Sequence, residues 1–245
     1  YDHRSRGIWA TIVDNKGATD TAVRWLTEKI DQAGCRGVKI VLKSDQEPAM
    51  TALQNRIRQA RDDLTILENS PVEDSSSNGA VEKAIQEVEG HIRTLVAALE
   101  ARYVAKLEVG SAILAWLVSY SAYLINHFRV GKDGETPVER LKGERSERSL
   151  AEFGECVFYL PLDYKGDKVN IPDVRIKEGV WLGVDTLTSE VLIGTESGIV
   201  KTRTVRRKVE AERWDIELLR VVKGVPWDPS PGIDSRELPT VVQVP

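Results

Sequence analysis

The amino-acid sequence predicts an α/β unit followed by a small all-β barrel. Three observations predict it. Short β-branched runs at residues 38–43 and 64–67 alternate with helical patterns, which marks parallel strands joined by helices. A long apolar pattern at helical spacing follows, through Val81, Ile85, Val88, Ile92, Leu95, Leu99 and Tyr103. Beyond residue 150 the helical period gives way to short apolar runs divided by Gly and Asp turns.

The chain has 245 residues, 41% of them apolar, enough to bury a core and to form one large domain or two small ones. Cys35 and Cys156 stand far apart without metal-ligand spacing, so neither a disulfide framework nor a zinc site is indicated and a reducing compartment is the simpler reading. The net charge of −4 excludes a uniformly basic nucleic-acid coat and leaves local basic patches as the electrostatic route to DNA.

Taken in order, the first residues lack the apolar core and the initiating Met of a signal peptide, and the chain reads as part of a longer one. Residues 7–13 read as a strand, with residues 5–7 as the turn that pairs it to an earlier strand. Thr19 or Asp20 caps a helix whose inner side carries Val23, Leu26 and Ile30, and Gly34 and Gly37 bracket its exit. A strand over residues 38–43 then ends at Ser44 and Asp45. Residues 48–61 form a helix with Met50, Leu53, Ile57 and Ala60 inward, and residues 64–67 a further strand. Residues 68–77, with Pro71, three acids and three consecutive serines, read as a mobile loop. Residues 109–128 carry no formal charge and meet the length of a membrane span. Gly110, three serines, Asn126 and His127 interrupt them, and Ile113, Trp116, Leu117, Tyr120, Leu124 and Phe128 form the stripe of a buried core helix.

Two carboxylates stand out. Asp45 closes a strand, and Glu82 falls in the first turn of the long helix, one position off its buried stripe. A strand-end Asp facing a helix-borne Glu places two hard oxygen ligands around Mg²⁺ or Mn²⁺, which bind carboxylates and leave positions open for phosphate. The structural alternative is an ordinary N-cap for Asp45 and a dipole-favoured first-turn Glu82. Further on, Lys201, Arg203, Arg206, Arg207 and Lys208 put five basic residues within eight. They read either as a charged edge strand protected from aggregation or as a ridge that contacts phosphates without sequence preference.

The 36 residues between Asp45 and Glu82, and the setting of Glu82 in Asn78-Gly79-Ala80-Val81-Glu82-Lys83, resemble the second Asp and the Glu of the retroviral and retrotransposon integrase triad. Asn126 followed by Thr136-Pro137-Val138-Glu139 resembles the end of the copia-type integrase core. Phe153-Gly154-x-Cys156 and Trp181-Leu182-Gly183 resemble the small β-barrel that follows this core in copia-type polyproteins. Together these resemblances cover residues 1–215. They imply a ribonuclease-H-like mixed sheet with helices, its first strand or strands and the first catalytic Asp lying upstream of Tyr1; Asp2 is the one early alternative. They imply catalytic, metal-binding roles for Asp45 and Glu82, with two Mg²⁺ or Mn²⁺ ions in the complete protein. DNA integration by polynucleotidyl transfer, element ends and target DNA as partners, a homo-oligomer, a nuclear location and no membrane follow from the same resemblance. Gln86 and Glu89 depart from it, since many integrases carry DNA-contacting lysines on this face.

The expected boundaries are a catalytic core at 1–143, a linker at 144–149, a barrel at 150–215 and an extended or disordered tail at 216–245. Without its first Asp the chain is expected to be inactive. The alternatives are a catalytically dead DNA-binding or assembly module derived from such an element, and a ribonuclease-H-like nuclease.

Overall fold

Thr19 ends the N-terminal stretch by capping a helix, its hydroxyl accepting from Ala22 N at 3.2 Å. This helix, α1 (Asp20–Ile30), leaves through a π-helical turn, Asp31–Cys35, in which Gly34 takes the left-handed φ of +76°. The chain then enters β1 (Ile40–Ser44), α2 (Pro48–Ala60) and β2 (Thr65–Asn69), with Pro48 at the first helical positions, where its missing N–H costs nothing. The computed structural model describes residues 1–62, 64–69, 75–144, 151–162 and 176–231, and for residues 75–78 the backbone alone. Two compact units emerge, Tyr1–Leu95 with Val118–Arg148, and Val96–Leu117 with Ser149–Pro245.

In the first unit β1 and β2 pair in parallel, Ile40 opposite Thr65 through Ser44 opposite Asn69. Leu42 packs with Val13 and Met50 on a cluster of Ala22, Val23, Leu53 and Ile57, so α1 and α2 cover one face of the pair. This is an α/β arrangement, consistent with the ribonuclease-H-like expectation. The guanidinium of buried Arg61 ties the exit of the π turn to the residues leading into β1, donating to Cys35 O at 3.0 Å and Val38 O at 2.9 Å. A second cluster joins Ile8 to Ala84, Val88, Ala122 and Ile125. Those residues come from α3 (Ser75–Tyr103) and α4 (Ala112–Phe128). Residues 7–13 form no ladder strand. Ile8 is held instead by a side chain: Asn126 Oδ1 accepts from Ile8 N at 2.8 Å while Asn126 Nδ2 donates to Ile8 O at 2.6 Å. The Thr136-Pro137-Val138-Glu139 motif is a capping box that starts α5 (Pro137–Lys142), Thr136 and Glu139 each satisfying the other's backbone N–H.

Two expectations about α3 change. Its helix begins at Ser75, inside the stretch read as a loop, of which residues 70–74 lie outside the described residues. Glu82 therefore sits about two turns into the helix rather than in its first turn. Of the predicted apolar stripe, Val88, Leu99 and Tyr103 are buried, but Val81 and Ile85 are 40% and 53% exposed. The helix period was right, and at this end no described residue covers the stripe.

The second unit contains β3 (Cys156–Leu160), β4 (Lys177–Val184), β5 (Val191–Thr195), β6 (Gly198–Thr202) and β7 (Thr204–Arg207). They form one antiparallel sheet in the order β6-β5-β4-β3-β7. This corrects the expected barrel, because among the described residues no ladder joins β6 to β7 and the sheet does not close. The cause is chain length. Only Arg203 separates β6 from β7, and a hairpin needs at least a two-residue loop, so the chain turns a corner instead of doubling back. Thr202 braces that corner by donating to Leu160 O at 2.5 Å. Among the described residues the strands thus make a parallel pair in the first unit and a separate antiparallel sheet in the second.

Cys156, Val157, Val180, Trp181, Leu182 and Ile193 fill the core of this unit. Gly154 is required where it stands: its φ is +82° and a Cβ would lie 2.5 Å from Leu99 Cδ2. Beside it the Tyr103 hydroxyl donates to Gly154 O at 2.5 Å, and its ring meets Trp214 edge-on at 5.5 Å between centroids. Burial, reinforced by Cys156, raises the Tyr103 phenol above its ordinary range, so it stays a donor. A sixth helix, α6 (Ile216–Arg220), is capped by Asp215 and buries Leu219. Most of the 144–149 linker and residues 232–245 of the expected tail lie outside the described residues. Among the described residues no helix is long and apolar enough to cross a membrane.

Candidate functional site

β1 delivers Asp45 to the carboxyl end of a parallel strand, where ligands of open α/β sheets collect. Its side chain is exposed, and Oδ1 accepts a long hydrogen bond from Glu47 N at 3.4 Å, at the start of α2. Lys16 stands in the same neighbourhood, bonded to Glu47 at 2.5 Å. That bond, aided by the charges of Glu47 and Asp45, raises the Lys16 ammonium above its usual range. Beneath the strand ends lies Gln54, 2% exposed, whose Nε2 bridges Leu42 O at 3.1 Å and Glu68 O at 3.3 Å. One amide thus clamps both strands, and its Oε1 is left buried without a hydrogen-bond partner. Sequence reasoning missed Gln54; the signal was a polar residue on the inward face that Met50 and Ile57 define.

Glu82 is exposed on α3 and makes no hydrogen bond or ion pair with a described residue. On the same helix Glu89 pairs with Arg93 at 3.6 Å. No hydrogen bond or ion pair links Asp45 to Glu82. Among the described residues no three His, Cys, Asp or Glu side chains gather as a cation site. Asp2 is not available as a further ligand. Its Oδ2 accepts from Ser5 N at 2.9 Å and Ser5 Oγ at 2.5 Å, closing its own turn. Burial works to raise the Asp2 carboxyl, but the bonds from Ser5 and Arg4 outweigh it and hold the group below the usual carboxylate range. The donor set of the described residues therefore does not fit the two-ion centre that the resemblance implies.

The basic residues of 201–208 are mostly engaged. Lys201 pairs with Asp185 at 2.6 Å, Arg203 with Glu190 at 3.2 Å, and Lys208, itself 7% exposed, with Glu178 at 2.8 Å. Arg207 holds the fully buried Glu155 with two bonds, Nε to Oε1 at 2.6 Å and Nη2 to Oε2 at 2.7 Å. Arg206 alone of the five has no carboxylate among the described residues. A cleft of about 540 Å³ in the second unit is lined by Lys106, Ser111, Arg220, Lys223 and Asp228, and contains neither Asp45 nor Glu82.

No protein-family model matches the sequence, and no curated protein matches it. Among solved structures, the chain is similar to the catalytic core domain of BIV integrase at 21% identity and a TM-score of 0.39, over 56% of this chain and 78% of that one. It is also similar to a chain of the simian T-cell lymphotropic virus intasome solved in complex with PP2A regulatory subunit B56 gamma, at 15% identity and a TM-score of 0.34, over 78% of this chain and 66% of that one. The similarity to retroviral integrase cores is thus distant and partial.

Proposed function

We propose that the chain is part of a copia-type retrotransposon integrase, a protein that in complete form carries out metal-dependent polynucleotidyl transfer on DNA, and that residues 1–245 by themselves do not. The observation that carries this reading is the pair of exposed carboxylates: Asp45 at the carboxyl end of a parallel strand, and Glu82 on the next long helix within its Asn-Gly-x-x-Glu setting. Neither is neutralised by an ion pair among the described residues.

Calorimetric titration with Mn²⁺ tests the assignment. Asp45→Asn and Glu82→Gln are each expected to weaken binding, because an amide is a poorer hard-cation ligand than a carboxylate. Equal titrations for the parent and both variants would remove the pair from the metal chemistry. A strand-transfer assay with pre-processed DNA ends is expected to give no joining; joining abolished by Glu82→Gln would mean that the ligand set is complete within the chain.

The second reading, a non-catalytic assembly or DNA-binding module, is favoured by the lack, among the described residues, of a third carboxylate gathered with Asp45 and Glu82 and by the paired state of most of the 201–208 ridge. With only Arg206 unpaired, DNA binding through this ridge releases about one counterion, giving a shallow dependence on salt. Affinity at several salt concentrations for the parent and Arg206→Glu measures it.

A further inference from the structure

The turn at residues 14–17 is held at both ends. Val13 before it and Ala18 after it pack on the cluster of Ala22, Val23, Leu53 and Ile57, and Arg56 Nη1 donates to Ala18 O at 2.8 Å. Gly17 takes a φ of +127° there, and a Cβ on it would stand 3.9 Å from Ala49 Cβ in the first turn of α2. The turn is therefore fixed against the start of α2, and Lys16 is carried to the end of β1. Its ammonium donates to Glu47 Oε2 at 2.5 Å, Glu47 N donates in turn to Asp45 Oδ1 at 3.4 Å, and the charge of Asp45 also acts on Lys16. Asp14, the other acid of the turn, accepts instead from Asn15 Nδ2 at 3.2 Å. One ammonium thus lies in the field of two carboxylates, on residues separated only by Gln46.

We infer that Lys16 is a built-in counter-ion that weakens divalent-cation binding at Asp45 by holding Glu47 out of the ligand set. The inference rests on the reading of Asp45 as a metal ligand and adds a regulator of that same site. A divalent ion is drawn to the carboxylate oxygens that hold the ammonium, and the two positive charges repel. To bind, the ion must either enter beside Lys16 or free Glu47 from it. Lys16 is 65% and Glu47 40% exposed, so their attraction is screened and modest, and the exchange is reversible. Part of the poor fit between the donor set and a two-ion centre then has a physical cause: a second carboxylate stands close to Asp45, and the chain's own cation occupies it.

Calorimetric titration of the full chain with Mn²⁺ at low salt tests it. Lys16→Met removes the charge at an exposed position and should tighten Mn²⁺ binding about three- to tenfold, a gain that shrinks as salt is raised. Lys16→Arg keeps the charge and should titrate like the parent. Adding Glu47→Gln to Lys16→Met should remove most of the gain, because the carboxylate released by the first change is lost in the second. Equal affinities for the parent, Lys16→Met and Lys16→Arg, with Asp45→Asn still weakening all three, overturn the inference and leave the metal reading standing. A gain that persists when Asp45→Asn is combined with Lys16→Met overturns it as well, since the ion would then bind elsewhere. Asp45→Asn without effect in every background, or no Mn²⁺ binding at all, removes the metal reading and the inference with it.

Discussion

The two sheets of this protein are finished to different degrees. The five-stranded sheet fills its core with Val157, Val180, Trp181 and Ile193, and four of the five basic residues of 201–208 are matched by carboxylates. Among the described residues, the β1–β2 pair has one face against helices, the other bare at Val41 and Ile66, and an acid at its tip with no ion pair. Satisfied groups stabilise a fold and unsatisfied ones are left to meet something else. Among the described residues, the second sheet meets most of its own polar groups where the first leaves several unmet.

The largest expected effect that would sharpen this contrast is in amide exchange. The outward amides of Val41 and Lys43 should exchange about a thousandfold faster than Val180 and Trp181 in the central strand β4, since edge groups open locally and central ones open with the unit. Equal protection would erase the distinction. Next comes the buried pair. Arg207→Ala leaves Glu155 fully buried and should cost about 2–4 kcal/mol, moderated because the Arg207 side chain is 39% exposed. The same change at Arg203, which is 75% exposed, should cost under about 1 kcal/mol; urea midpoints read by Trp fluorescence compare them.

In the first unit, Asn126→Ala should cost about 2–3 kcal/mol by stranding the N–H and C=O of buried Ile8. A smaller cost, measured the same way, would mean that residues 7–13 are held by something other than Asn126. The smallest effect is in pH. Burial, reinforced by Lys142 and opposed by the Tyr123 carbonyl, holds His127 below its usual range. Its folded value lies below the unfolded one of about 6.5, so the stability it contributes is present above that pH and lost as pH falls through the folded value. Below pH about 6.5, His127→Gln should flatten the decline in stability by under about 1 kcal/mol.

Much of the fold was legible because periodicity reports which face is buried. The Thr19 cap, the Pro48 start, both parallel strands and the core helix at residues 112–128 all follow from local pattern. What the pattern could not carry was closure and partnership. Four or five short strands read the same whether or not their ends meet, and closure here turned on the single residue between β6 and β7. Periodicity likewise placed Val81 and Ile85 on an apolar face without saying whether anything covers it. Of the candidate site, Asp45 at a strand end was legible from turn chemistry, whereas the expected first-turn place of Glu82 was not, because its helix starts at Ser75. The ion pairs that occupy the 201–208 ridge were not, because Glu155, Glu178, Asp185 and Glu190 approach it from other strands and turns.

The corner at Arg203 places a constraint on how this sequence can drift. Its side chain points to water and a surface pair, so replacement there should be nearly silent. Its number matters more than its nature. Adding two residues would supply the loop that a hairpin needs, letting β6 and β7 fold back on one another and drawing Thr202 away from Leu160. Insertions are commonly tolerated at exposed turns. This exposed position is an exception, where substitution is permitted and a change of length is not.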